Sequence, residues 1–232
     1  NGEGTAGNIE HPNDHTAPSE PIITFVEDTN PKDGKLNKAE NSSDSDNANT
    51  TAKISVPTDA VVGDVIKYAV NGGTEQSHTI TNADKTAGHV EIKVPVTDGQ
   101  TSSVTAKIVD QAGNASKEVS GSVDVDTKAP TVDVKTVTPV DTNNPADGNP
   151  DKGIVKGHSD EPNAPVVVKD KDGKTIGTGT TDDKGNFEVT TDPIKPGDKV
   201  TVEVTDKAGN KGNGEGTAGN LTHPNDHTAP SE

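Results

Sequence analysis

The chain has 232 residues, room for one large domain or two of about 100 residues each. It contains no Cys, which rules out disulfide staples and thiolate metal sites, and its 38 acidic residues against 21 basic ones leave a net charge of −17. That charge argues against a nucleic-acid partner and against charge-driven binding to an anionic membrane, and it suits hard cations held by oxygen ligands.

Core material is scarce: 26 Val, 11 Ile, 2 Leu and 2 Phe make 41 of 232 residues, below the roughly 20% that marks disorder in highly charged chains. These residues nonetheless cluster, alternate with polar ones and are nearly all β-branched, which is the pattern of half-buried strands. In chain order the alternation predicts strands over 22–26, 52–56, 65–70, 78–81, 90–96, 104–109 and 119–125. A second series follows over 132–137, 153–156, 166–169, 175–178, 186–190 and 200–204. Val90, Ile92, Val94 and Val96 should share one face, as should Val119, Val123 and Val125. Residues 35–40 have room for one helical turn, and helix signals are otherwise nearly absent. Asp172-Gly173 and Lys184-Gly185-Asn186 predict tight turns, because Gly supplies positive φ. The Gly-rich stretch 212–220 reads as loop. About seven short strands per roughly 100 residues predict antiparallel sandwiches, without the Cys…Trp…Cys signature of antibody domains.

The strongest organising signal is a repeat. Residues 1–20 and 213–232 match at 18 of 20 positions, differing only at Ile9/Leu221 and Glu10/Thr222. The offset of 212 residues reads as one period of a tandem array. Within it, Asp110-Gln-Ala-Gly113-Asn114 recurs as Asp206-Lys-Ala-Gly209-Asn210, each ahead of a junction ending in Ala-Pro. The expected organisation is a junction segment 1–16, modules over 17–127 and 128–213, and a segment 214–232 leading to the next repeat. With no starting Met, no legible leader and no apolar run near the roughly 20 residues of a membrane span, any export signal is expected elsewhere in a longer protein.

The motifs VTVEVTDKAGN (200–210), KDGKTIGTGTTDDKGNFEV (171–189) and VDVDTKAPTVDV (123–134) resemble bacterial Ig-like extender domains of giant RTX-type, type I-secreted surface adhesins. The resemblance covers both modules. It implies two tandem immunoglobulin-like antiparallel β-sandwiches in an extended arrangement, monomeric, extracellular on a bacterial surface, and a stalk that holds an adhesive region away from the cell, as in biofilm formation. It also implies calcium near module junctions, with neighbouring modules of the same chain as partners. The alternative is a module that contacts a host or biofilm component directly, and it lacks support from an aromatic patch, since only Tyr68, Phe25 and Phe187 are aromatic.

Candidate calcium ligands fall into three groups. The first is a loop with Asp28, Asn30, Asp33 and Glu40, where oxygens recur at short spacing and Gly34 permits a sharp turn. It has no true EF-hand spacing, and a plain solvated loop is the competing reading. Asp141 and Asp147 occupy the corresponding place in the second module. The third group is the junction set Asp110, Asn114, Asp124 and Asp126, with Asp206, Asn210 and Asp226 as second-module equivalents. Converging carboxylates repel unless a cation sits among them, and turn capping is the competing role. His11 and His15, repeated as His223 and His227, have a zinc-like spacing, but Pro12 and its loop composition favour a polar linker. The acidic run 42–47 reads as a solvated loop, with Asp44 or Asp46 as a weak calcium contact. No nucleophile elbow, phosphate loop or HExxH motif is present, so no enzyme is expected.

Overall fold

Val90, Ile92 and Val94 turn inward along one strand while Glu91 and Lys93 face water, and this period-two burial recurs throughout the molecule. The computed structural model describes residues 14–29, 32–143 and 146–224. The chain divides into two compact units, Asn1–Thr127 and Lys128–Glu232.

In unit 1 the elements are β1 (Ile23–Phe25), β2 (Lys35–Leu36), α1 (Lys38–Asn41), β3 (Asn49–Ser55), β4 (Val65–Val70), β5 (Gln76–Thr79), α2 (Asn82–Ala87), β6 (His89–Pro95), β7 (Thr101–Val109) and β8 (Val119–Val125). One sheet has the order β1-β3-β6, the other β2-β8-β7-β4-β5. Pairing is antiparallel except where β2 runs parallel to β8. The first edge is therefore split between the two sheets, which is an immunoglobulin-like arrangement. The two layers close over Leu36, Ile54, Ile66, Val94, Val104 and Ile108, all fully buried. Burying each such side chain contributes about 1.5–3 kcal/mol.

Unit 2 contains β9 (Val132–Val140), β10 (Lys152–Ser159), β11 (Pro165–Lys169), β12 (Thr175–Thr180), β13 (Asn186–Thr191), β14 (Lys199–Thr205) and β15 (Lys211–Thr217). Its sheets are β13-β10-β9 and β12-β11-β14-β15, wholly antiparallel within the named strands. A parallel bridge between Val140 and Thr222 echoes the β2–β8 pairing. Val155, Val168 and Val202 lie at the centre with Phe187 against them.

Two features differ most from the sequence expectation. The first is α2. Its six residues carry no buried face, so apolar periodicity could not reveal it; its ends are set by caps. The Thr81 hydroxyl accepts from the Asp84 N–H, and the Asp84 carboxylate accepts from the Thr81 N–H, a reciprocal capping box. Gly88, at φ 74°, closes the other end. Burial pushes the Asp84 carboxyl up, but hydrogen bonds from His78 and from the Thr81 hydroxyl and N–H outweigh it and hold the carboxyl at about 2. The adjacent Lys85 ammonium donates to the carbonyls of Pro57, Thr58 and Ala60, pinning the loop between β3 and β4.

The second is β15. Residues 211–217 form a full edge strand along β14, from Lys211 opposite Thr205 to Thr217 opposite Lys199. Its inward positions are Gly212, Gly214 and Gly216, and β9 with its approach occupies the space that side chains would need. A Cβ at Gly212 would lie 1.9 Å from the Pro130 carbonyl oxygen, and one at Gly214 would lie 2.7 Å from that of Val132. Residues 214–217, expected to lead onward to another repeat, thus complete this sandwich. Ala218 is buried in its core, and Thr222 donates to the Pro139 carbonyl.

Candidate functional site

The Asp28 loop is organised by its own backbone. Asp28 is buried, and its two oxygens accept from the N–H groups of Asp33 and Gly34 at 3.1 Å each. Glu40, also buried, accepts from Thr29 N–H and Asn37 N–H, again at 3.1 Å. Asp33 is exposed and takes the Lys35 N–H at 3.0 Å. Asn30 lies outside the described residues. In unit 2, Asp141 is wholly buried and accepts from Asn143 N–H at 3.0 Å and Gly148 N–H at 2.9 Å, with His223 Nδ1 3.3 Å away. Burial opposes ionisation of Asp141, yet those N–H groups and the His223 ring draw its carboxyl below the ordinary range. Asp147 stays exposed and caps Asn149 N–H at 2.9 Å. Both loops thus have one buried aspartate holding a positive-φ glycine turn, Gly34 in one and Gly148 in the other.

The Asp-x-x-Gly-Asn motifs resolve as a turn device. Asp110 accepts from the Asn114 backbone N–H at 2.7 Å and from its amide at 2.8 Å. Asp206 accepts from Asn210 N–H at 2.8 Å, its amide at 2.9 Å, and Ala208 N–H at 2.9 Å. Asp182 with Asn186 and Asp170 with Lys174 use the same closure. In all four the fourth residue is Gly at positive φ: Gly113, Gly173, Gly185 and Gly209. Asp110 is held below its usual range because the Asn114 side chain and the turn N–H groups outweigh burial. The sequence pairs Asp110/Asn114 and Asp206/Asn210 therefore do come together, in the capping role. Asp124 is exposed on β8 and accepts from the Thr101 hydroxyl at 2.7 Å, while the Asp126 backbone N–H donates to the Leu36 carbonyl. Asp226 lies outside the described residues. Among the described residues no three His, Asp or Glu side chains already stand close enough to share one metal ion.

If the Asp206 carboxylate serves the turn, Asp206→Ala should destabilise unit 2 by about 2 kcal/mol, from N–H groups left without acceptors. The loss should be the same in calcium chloride and in chelator, measured by urea unfolding. A loss that appears only with calcium present would assign Asp206 to a metal instead.

Sequence reasoning singled out Asp110 but passed over Asp59 and Asp64, which line the same hollow in unit 1. A cavity of about 300 Å³ is lined by Asp14, Asp59, Asp64 and Asp110, with Gln111 and Val61 beside them. Asp64 is 2% exposed. One of its oxygens accepts from Val61 N–H at 2.8 Å; the other, Oδ1, is buried without a hydrogen-bond partner. Nothing in the run Val61-Val62-Gly63-Asp64 signals this in advance, because burial and missing partners are properties of the folded state.

Residues 142–223 match the bacterial Ig domain family. That stretch lies within unit 2. Among curated proteins no match is found. Similar solved structures include one of a 1.5-MDa bacterial ice-binding adhesin, at 21% identity and TM-score 0.42, covering 89% of this chain and 66% of that one. Fibronectin(III)-like modules of Clostridium thermocellum CbhA align at 16% identity and TM-score 0.48, over 86% of this chain and 95% of that one. A C-terminal intimin fragment aligns at 16% identity and TM-score 0.46, over 88% and 66% respectively.

Proposed function

We propose that this chain is a spacer segment of a repetitive bacterial surface adhesin, stiffened by calcium and projecting an adhesive region away from the cell. The observation that carries this reading is the 212-residue repeat. Residues 213–224 close the unit 2 sandwich, and the sequence after them, from Asp226 to Glu232, is the same as the Asp14–Glu20 sequence that leads into unit 1. A unit 2 sandwich can therefore be followed directly by another unit 1 sandwich, and the pair can be repeated without new junction chemistry. Modules of this kind set length by their number. Exposed large apolar side chains among the described residues are confined to Ile22, Val26, Val61 and Val62, which gives little basis for a broad adhesive face. No helix among the described residues is long and apolar enough to cross a membrane.

Small-angle scattering of chains carrying one, two and three periods tests the proposal. In calcium the maximum dimension should rise in near proportion to the number of periods. In chelator it should rise more slowly, toward the square-root dependence of a flexible chain. Particles whose length does not grow with period number would overturn the spacer reading. Identical growth in both conditions would remove calcium from it.

A further inference from the structure

We propose that the seat of β15 in unit 2 binds a second copy of this chain, taking residues 1–8 of that copy as its last strand. The seat itself shows what fits. β15 pairs with β14 along its whole length, and its inward positions close on the backbone and side chains of β9. A Cβ at Gly214 would stand 2.7 Å from the Val132 carbonyl oxygen, and one at Gly216 would stand 2.6 Å from Val137 Cγ2. Two residues further on, Ala218 is buried, with its N–H donating to the Asp198 carbonyl and its own carbonyl accepting from Gly197 N–H. Gly219 N–H then reaches the Val137 carbonyl at 2.9 Å. Such close backbone approach admits a strand with glycine, glycine and alanine at successive inward positions and turns away larger side chains. Residues 1–8 have the sequence of 213–220 without a difference. Gly2, Gly4 and Ala6 would take the places of Gly214, Gly216 and Ala218, with Asn1–Thr5 opposite Glu203–Lys199.

β15 is also replaceable. Among the named strands of unit 2 it alone places no side chain in the hydrophobic core, so backbone hydrogen bonds hold it rather than apolar burial of its own. An edge strand held in this way opens before the strands that carry the core. Tethering favours a chain's own strand: the turn Asp206–Asn210 keeps β15 at an effective concentration of millimolar order, far above that of another molecule in dilute solution. The net charge of −17 also opposes contact between copies. Strand exchange needs no broad face, however, and residues 1–8 carry a single charged side chain, Glu3, in the exposed place of Glu215. Exchange therefore requires that the chain's own β15 be drawn out. In an array any pull along the chain passes through β15, and every period supplies another copy of the strand. Two stalks side by side would then be joined strand for strand. Binding stands on the seat and the repeat, whereas its consequence for stalks rests on the spacer reading.

The test uses the full chain and disables one of its two copies of the strand. Gly212→Val with Gly214→Val drives side chains into the Pro130 and Val132 carbonyls and should expel the chain's own β15, while Gly2 and Gly4 stay intact. In sedimentation the wild-type chain should be a monomer at micromolar concentration. The doubly substituted chain should form dimers and larger species as its concentration rises, because a head-to-tail contact leaves a free end on each copy. Adding Gly2→Val and Gly4→Val to that chain should abolish the association. The synthetic peptide NGEGTAGNIEH, at millimolar concentration, should return the doubly substituted chain to monomer and restore the calorimetric transition of unit 2. The same peptide with valine at its second and fourth positions should do neither. Association that survives Gly2→Val and Gly4→Val would be the adhesion of an opened core, and it would overturn the proposal. A doubly substituted chain that stays monomeric, or whose unit 2 the peptide leaves unfolded, would overturn it as well. Period scaling is read separately: length that grows with period number in a protein that fails to exchange sinks strand exchange alone, and exchange without such growth sinks only the spacer reading.

Discussion

Replacing Gly212 with alanine should cost unit 2 about 3 kcal/mol, the upper range for forcing atoms into a packed interior. Alanine is ordinarily the better strand residue, by roughly 0.5–1 kcal/mol over glycine, so the sign itself is diagnostic. The reason is local. A Cβ at this position would stand 1.9 Å from the Pro130 carbonyl oxygen and 2.7 Å from its carbonyl carbon. These are backbone atoms, which cannot rotate aside as a flexible side chain would. Gly216 is expected to resist substitution less strongly, because its added Cβ meets the methyl groups Val137 Cγ2 at 2.6 Å and Val134 Cγ1 at 2.7 Å. Asn213 lies between them on the exposed face, and Asn213→Ala should stay within about 0.5 kcal/mol of wild type. Urea midpoints for the three variants decide the matter. A Gly212→Ala protein as stable as wild type would mean that β15 does not lie against β9 as described.

Phe187→Ala should be at least as damaging. Phe187 is 4% exposed and is the aromatic residue of the unit 2 core. Truncating a buried phenylalanine costs about 3–5 kcal/mol through lost transfer energy and an unfilled cavity. Small domains have only about 5–15 kcal/mol to lose. The ring fills the space above Gly157, where a Cβ would come within 2.4 Å of Phe187 Cζ, and a glycine cannot grow to fill the void. At about 4–8 °C per kcal/mol for a domain of this size, scanning calorimetry should show one transition falling by roughly 15 °C or more. The transition of unit 1, which has its own core around Ile54, Ile66 and Val104, should stay in place. A single transition moving as a whole would contradict separate cores.

The strands most fully legible in the sequence were those whose buried face is made of β-branched side chains. Residues 65–70 and 119–125 emerge as β4 and β8 with the expected limits, because alternation reports directly which side chains leave water. Where burial used a different chemistry the signal failed. β15 buries glycine, so hydropathy is blind to it, although the alternation of glycine with Lys211, Asn213, Glu215 and Thr217 has the same period of two. β2, two residues long, is too short to show any period, yet it carries fully buried Leu36. The capping box of α2 was present as Thr81 and Asp84 but had no apolar run beside it.

The sequence by itself determined that the chain is built of β-rich modules, that it repeats at 212 residues, and that its carboxylates recur at turns. Those properties follow from side-chain type and spacing alone. Only the tertiary structure decided which groups each carboxylate meets. Asp28, Asp110, Asp141 and Asp206 are met by backbone N–H groups brought round by glycine turns, while Asp64 is buried with one oxygen unmet. The same residue type differs in role because its partners come from backbone geometry, which a string of residues does not display.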